Sequence, residues 1–313
     1  MNSYNKIYLE KIAKEKGFVR DNLEKVMRLS EILQYFNQNE FLHDSLVLKG
    51  GTAINLTVFQ MPRLSVDIDL DFAKNCSREE MIKARKNIND EILAYMSNEG
   101  YVLKPGSKSP HTLDSWVFGY INAGGNPDNI KIEINYIDRC HVLPLEHKKI
   151  ICKWLNESFE ILTLNTIELY ASKINALLSR FAPRDLYDIN IMIINNVIQD
   201  EEMLKKCLIF YNMIGGNQNI DSLAYEGIDK INYFKYKTQL KPVISKNENF
   251  NLIEAKKNVI SFLKKLIVIN DNEQKFIDEF KKRVYKPELL FDNELEIYNA
   301  KCHPMALWRC NKK

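Results

Sequence analysis

Asp67, Asp69 and Asp71 alternate with Val66, Ile68, Leu70 and Phe72. A period of two is the mark of a strand, whose side chains point to opposite faces in turn. Asp67 and Asp69 then share one face, while the apolar set packs into a core. Two carboxylates so placed repel each other unless a cation lies between them. A hard divalent ion such as Mg²⁺ takes oxygen ligands of this kind together with substrate phosphates. Some fifteen residues earlier, Lys49-Gly50-Gly51-Thr52 reads as a strand end, a glycine turn and the start of a short helix with Thr52 as its first cap. The free N–H groups of a helix N-terminus suit a phosphate. A phosphate seat next to paired carboxylates points to phosphoryl or nucleotidyl transfer. Asp71 shares the acidic face but is placed beyond metal reach, and Ser65 is read as a turn former.

These residues need a scaffold. Amphipathic helices are expected over 5–16 and 21–38, the second capped by Asp21, and a short buried strand over 46–48 delivers Lys49 to the turn. Ser77 caps a long helix that runs to Glu99 and is closed by Gly100. A strand over 116–122, a turn over 123–129 and an alternating strand over 130–137 form a hairpin. Ile130, Ile132, Ile134 and Tyr136 face the core, so Glu133 faces the other way with Lys131 and Asn135. If this strand lies next to the acidic one, Glu133 supplies a third carboxylate; otherwise it is a solvent-facing edge residue. Beyond Pro144 the pattern is almost wholly helical. Asn165 caps a helix to Phe181 with Lys173 on its polar side, and Pro183 opens a helix to Asn195 carrying Asp185 and Asp188. Further helices are expected over 200–213, 221–237, 251–267 and 271–285. The fold class is α/β (α+β): a mixed sheet flanked by helices, then a mostly helical C-terminal domain. The division expected is 1–155 and 156–313.

The chain has 313 residues, room for two domains, with 45% hydrophobic and 27% charged residues. It holds no run of about 18 apolar residues, so no membrane span is expected, and the polar N-terminus is not a secretory signal. Cytoplasmic residence is the default. Six cysteines are scattered, none in a CxxC pair, and read as reduced structural thiols. The net charge of +3 is uneven, because the last third carries an excess of about five positive charges. That distribution suits a polyanion such as RNA, or equally a solvated lysine-rich surface. Tyr211, Tyr225, Tyr233, Phe234 and Tyr236 lie among these lysines, where they either stack bases or fill a helical core.

Taken together, these residues resemble the AbiEii/AbiGii toxin family of nucleotidyltransferases, within the polymerase-beta-like superfamily. The resemblance rests on Lys49-Gly50-Gly51-Thr52-Ala53, on Arg63-Leu64-Ser65-Val66-Asp67-Ile68-Asp69, on Lys131-Ile132-Glu133-Ile134-Asn135, and on Ser172-Lys173 through Arg180 followed by Pro183-Arg184-Asp185-Leu186-Tyr187-Asp188. It covers about residues 45 to 195. Ser172 departs from the glutamate common before the lysine. The resemblance implies a nucleotidyltransferase fold with a helical domain closing the nucleotide cleft, an NTP substrate and two Mg²⁺ ions. It also implies a toxin role in a toxin–antitoxin or phage-abortive system with a cognate antitoxin. Related mycobacterial toxins add nucleotides to the 3′ end of tRNA.

On this reading Asp67, Asp69 and Glu133 are metal ligands, and Glu133 also helps deprotonate the attacking hydroxyl. Gly50, Gly51 and Thr52 hold triphosphate oxygens. Lys173 reaches the β- and γ-phosphates, and Asp185 or Asp188 orients it or a nucleotide group, Asp188 being the better catalytic candidate. Lys49 contacts phosphate or pairs with the acids; Arg63 touches phosphate or anchors its loop. Two other functions stay open: a small-molecule nucleotidyltransferase, and a non-catalytic NTP- or nucleic-acid-binding module on the same scaffold.

Overall fold

The computed structural model describes residues 4–59, 61–150, 158–216, 220 and 226–311. Chain contacts divide it into two compact units, each assembled from three stretches: 1–139, 146–163 and 242–248 in the first; 140–145, 164–241 and 249–313 in the second. The boundary expected at 155/156 falls outside the described residues, as do Cys152 and Tyr225.

The first unit is a seven-stranded mixed sheet with helices. Its strands are β1 (Leu46–Lys49), β2 (Asp67–Phe72), β3 (Val102–Leu103), β4 (Leu113–Ile121), β5 (Pro127–Asn135), β6 (Glu146–Lys149) and β7 (Glu160–Thr163), in the order β3-β4-β5-β2-β1-β7-β6. β2 lies between β1, antiparallel, and β5, parallel. Ile68, Leu70, Ile130, Ile132 and Ile134 are buried, as their alternation requires. The hairpin of β4 and β5 starts and ends earlier than its sequence pattern suggests. Asn122 closes its turn by accepting from the N–H groups of Gly124 and Asn126, which leaves Pro127 free to open β5.

Helices α1 (Lys6–Lys16), α2 (Arg20–Gln38), α3 (Glu40–His43), α4 (Gly50–Ala53) and α5 (Arg78–Asn98) complete this unit. Ser77 and Glu80 form a reciprocal capping box on α5, and Gly100 follows its end at φ +77°. Asp21 does not cap α2. Val19 holds that position without a side-chain bond, and Asp21 sits in the first turn, where a negative charge suits the helix dipole. The strands β6 and β7 correct the expectation of an all-helical chain after Pro144. β7 pairs parallel to β1, and β6 forms the sheet edge. Edge strand β6 is Glu-His-Lys-Lys, which shows no apolar alternation.

The second unit is helical among its described residues: α6 (Thr166–Arg180), α7 (Pro183–Ile194), α8 (Glu201–Gly215), α9 (Glu226–Asp229), α10 (Tyr233–Lys235), α11 (Leu252–Leu266), α12 (Asp271–Lys281), α13 (Glu294–Lys301) and α14 (Pro304–Asn311). The single helix expected over 221–237 is broken, and its beginning lies outside the described residues. Asn232 interrupts it by capping α10 with its side chain, and a π-helical turn, Tyr236–Leu240, follows. Asn and Asp compete for backbone groups in this way, which is why they end helices more readily than they continue them. No helix among the described residues is long and apolar enough to cross a membrane.

Candidate active site

The acidic face is built by register. Asp69 of β2 lies directly opposite Glu133 of β5 and, on its other side, Lys49 of β1. Asp67 lies opposite Lys131. Since residues two apart on a strand share a face, Asp67, Asp69 and Asp71 face the same way as Lys49, Lys131, Glu133 and Asn135. Four carboxylates thus meet two ammonium groups. Lys49 pairs with Asp71, and Lys131 pairs with Glu133 at 2.8 Å. Asp71, placed by its sequence position past the metal ligands, is buried beneath this face as the partner of Lys49. Of the two roles weighed for Lys49, the ion pair with the acids is the one present.

Asp138 joins this cluster without any signal in the strand pattern. Asn135 ends β5 in a turn, accepting from the N–H groups of Ile137 and Asp138, and donates to the Asp138 carboxylate at 2.8 Å. Burial pushes the Asp71 carboxyl up to about 7; Lys49 opposes that shift, while the charges of Asp138 and Asp69 add to it. Burial also works against the charge of Lys49, but Asp71, Asp138 and Asp69 together hold its pKa above the ordinary value. This face therefore carries more negative charge than its own lysines offset.

The glycine turn is fitted against the same acids. Gly50 adopts φ +68°, and a side chain there would run into the Asp69 carboxylate. At Gly51 a Cβ would lie 2.6 Å from a terminal guanidinium nitrogen of Arg63 and 3.0 Å from Ser65 Oγ. Arg63 is 2% exposed and donates to its neighbour's carbonyl, Leu64 O, at 3.0 Å. Asn55 bonds to Gly51 O at 2.8 Å. The Arg63 guanidinium thus lies against Gly51 and bonds within its own loop. Thr52 is not a cap: α4 begins at Gly50, and Thr52 is buried inside it. Its hydroxyl donates to the Asp67 carbonyl and lies 3.0 Å from Ser65 Oγ, tying the glycine turn to the acidic strand. Ser65 belongs to that tie as well as to its loop.

In the second unit Lys173 is not on a polar face. It is 7% exposed, with its ammonium 3.1 Å from Asp185 and 3.2 Å from Asp188. Both acids are themselves buried on α7. Arg180, the last residue of α6, donates to both Asp185 oxygens at 2.6 and 2.9 Å. Burial alone would raise the Asp185 pKa, but Lys173 and Arg180 hold it below the usual carboxylate range. Asp185 and Asp188 thus both pair with Lys173. Arg180 is the member that sequence spacing left without a role, although its place five residues before Asp185 across a helix turn is a readable signal.

Among the described residues no three His, Cys, Asp or Glu side chains converge closely enough, as placed, to hold a metal ion. The donor chemistry nevertheless fits a hard divalent cation: Asp67, Asp69 and Glu133 offer carboxylate oxygens on adjacent strands of a face with excess negative charge.

The fold is similar to that of MenT4, a nucleotidyltransferase toxin from Mycobacterium tuberculosis H37Rv, with a TM-score of 0.64 and 15% sequence identity over 97% of this chain and 99% of that one. No curated protein shows significant sequence similarity to the chain. The family model of the nucleotidyl transferase AbiEii toxin, type IV toxin–antitoxin system, matches residues 31–279. The glycine turn, the acidic strands and the Lys173 cluster all fall inside that match, and the chain belongs to the AbiEii nucleotidyltransferase toxins.

Proposed function

We propose that this toxin transfers a nucleoside monophosphate from an NTP to the 3′ end of an RNA, with tRNA as the acceptor, and that it depends on Mg²⁺. The observation that carries the reading is the register that sets Asp69 beside Glu133, with Asp67 on the same face. Mg²⁺, two ions on this reading, would be held by Asp67, Asp69 and Glu133 and would neutralise charge developing on the transferring phosphate. In the reaction the RNA hydroxyl oxygen bonds to the α-phosphorus, the bond from that phosphorus to the bridging oxygen breaks, and pyrophosphate leaves. Glu133 takes the hydroxyl proton. Backbone N–H groups at Gly50 and Gly51 hold triphosphate oxygens, and Lys173, oriented by Asp185 and Asp188, neutralises the β- and γ-phosphates. Thr52 and Arg63 act by keeping the turn in place. A cognate antitoxin, as the family implies, restrains the activity in the cell.

The test is a labelling assay with Mg²⁺, each α-labelled NTP and total RNA, comparing wild type with the double variant Asp67→Ala/Asp69→Ala. Label in a tRNA-sized band with the wild type alone supports the reading and identifies the nucleotide. Absence of label with every NTP, despite measurable NTP binding, overturns it in favour of a small-molecule acceptor or a binding module.

A further inference from the structure

Inside the second unit, one surface combines protruding rings with unshared positive charge. Tyr233 is 64% and Phe234 72% exposed on the short helix α10. Tyr233 packs on Tyr236 with ring centres 5.7 Å apart, Tyr236 stacks on Phe250 at 5.8 Å, and Phe250 meets Tyr187 at 5.3 Å. The inner rings are a support and the outer two face solvent. Between 230 and 246 the chain carries five lysines and no acidic residue. Among the described residues none of Lys235, Lys237 and Lys241 takes part in an ion pair.

The ridge is mounted on α7. Arg184 donates to the Gln239 carbonyl at 2.8 Å, and Tyr187 comes from the same helix. Arg184 is followed at once by Asp185, and Tyr187 by Asp188, the two acids that hold Lys173. One rigid element therefore presents the Lys173 cluster and the aromatic ridge together. The turn that shapes the ridge, Tyr236–Leu240, is π-helical, and buried Leu240 pins it. Isolated π turns persist where they place side chains that a regular helix would not.

We infer that this ridge binds single-stranded RNA, with bases stacked on Tyr233 and Phe234 and phosphates on Lys235, Lys237 and Lys241. Exposed rings gain from bases that are not already stacked in a duplex, and the nearby lysines offset the backbone charge. An apolar protein partner would match the rings but leave the lysines facing no opposite charge. The inference rests on the RNA-acceptor reading above and adds the surface that recognises the acceptor.

The experiment measures binding of a fluorescent single-stranded RNA of about a dozen nucleotides, a length suited to one such groove, by anisotropy over a salt series with the full chain and no NTP. Tyr233→Ala/Phe234→Ala is expected to weaken binding about tenfold or more, the loss typical of one or two stacked bases. Lys235→Gln/Lys237→Gln is expected to lower the slope of log K against log salt by about 1.4, two contacts at the single-strand value. Thermal melts confirm that these surface variants fold. Wild-type affinity and slope in both variants overturn the inference, as does equal affinity for a blunt RNA duplex. So does unchanged RNA affinity with an altered sedimentation coefficient, which would make the ridge a contact between copies. The Asp67→Ala/Asp69→Ala variant separates the two readings. If it binds the RNA like wild type and wild type adds no label, the ridge stands and the transfer reading fails. If wild type labels RNA and the ridge variants bind and label it equally well, the transfer reading stands and the ridge fails.

Discussion

Gly50 meets two demands at once: a left-handed backbone and room for the Asp69 carboxylate. An alanine there meets neither. The left-handed conformation costs about 1–2 kcal/mol for a residue with a Cβ, and the Asp69 carboxylate is pushed from its place on the acidic face. Gly50→Ala is therefore expected to lower stability by about 2 kcal/mol in urea titration, and pyrophosphate release by about a hundredfold, since small misplacements of a reacting group have such effects. Wild-type turnover in a folded Gly50→Ala protein would count against the turn as a phosphate seat. Asp185 makes a second case, through its charge. Its pKa is held down in the folded chain, so the stability it contributes is present above the unfolded carboxylate value and is lost as the pH falls through the folded one. Asp185→Asn should cost on the order of 3 kcal/mol at neutral pH, as breaking a buried pair does. The gap between variant and wild-type melting temperatures should then narrow as the pH is lowered below about 4. A gap independent of pH would show that the loss is one of packing and not of charge.

At the scale of elements, the strands that carry the acids are also the most central. Ile132 is fully buried on β5 between Ile68 of β2 and Trp116 of β4. Ile132→Ala should cost about 2–5 kcal/mol, the range for emptying a core position of this size. Lys149→Ala, on the exposed edge strand β6, should stay within about 0.5 kcal/mol. Chemical denaturation checks both, and a similar effect at the two sites would contradict the sheet order. The same contrast explains what could be read from the chain beforehand. β2 and β5 announce themselves because one face is packed and the other is not, so Asp67, Asp69 and Glu133 were legible as a set. β6 and β7 were not: β6 is wholly polar, and Glu-Ile-Leu-Thr of β7 offers neither an apolar run like that of β1 nor a sustained alternation. The burial of Lys173 was equally hidden: helical spacing marks a lysine as outward unless the acids that receive it, here on another helix, are known. Thr52 bonds to the Asp67 carbonyl, and the Arg63 guanidinium lies against Gly51; the fold alone makes both approaches, and residue type does not reveal them. The broken helix at Asn232 was visible in principle, since asparagine before an aromatic pair is a capping signal that the hydrophobic spacing outweighed.

At the scale of the whole chain, neither unit is a continuous segment. The stretch 242–248 belongs to the first unit, although it follows some eighty residues of the second. What it does there is specific. Val243 O accepts from Leu64 N at 2.7 Å, Ile244 bridges Arg63, Ser245 Oγ donates to Lys16 O at 2.7 Å, and Lys246 N bonds to Gly17 O at 2.7 Å. Asn22 adds a bond of 2.8 Å to Pro242 O. The loop that carries Arg63, and through Arg63 the glycine turn, is thus clamped by a late part of the sequence. At about 1 kcal/mol for each hydrogen bond, the clamp contributes roughly 4 kcal/mol, a large share of the 5–15 kcal/mol by which a domain is stable. A fragment ending at residue 163 contains every carboxylate of the acidic face and both glycines, yet lacks this clamp. It is expected to melt with lower cooperativity and at lower temperature than the full chain, and to bind NTP more weakly. A synthetic peptide spanning 242–248, added in excess, should restore part of the lost stability, because it binds the folded fragment and not the unfolded one. A fragment that melts like the full chain and gains nothing from the peptide would show that the glycine turn holds its shape from the first 163 residues alone.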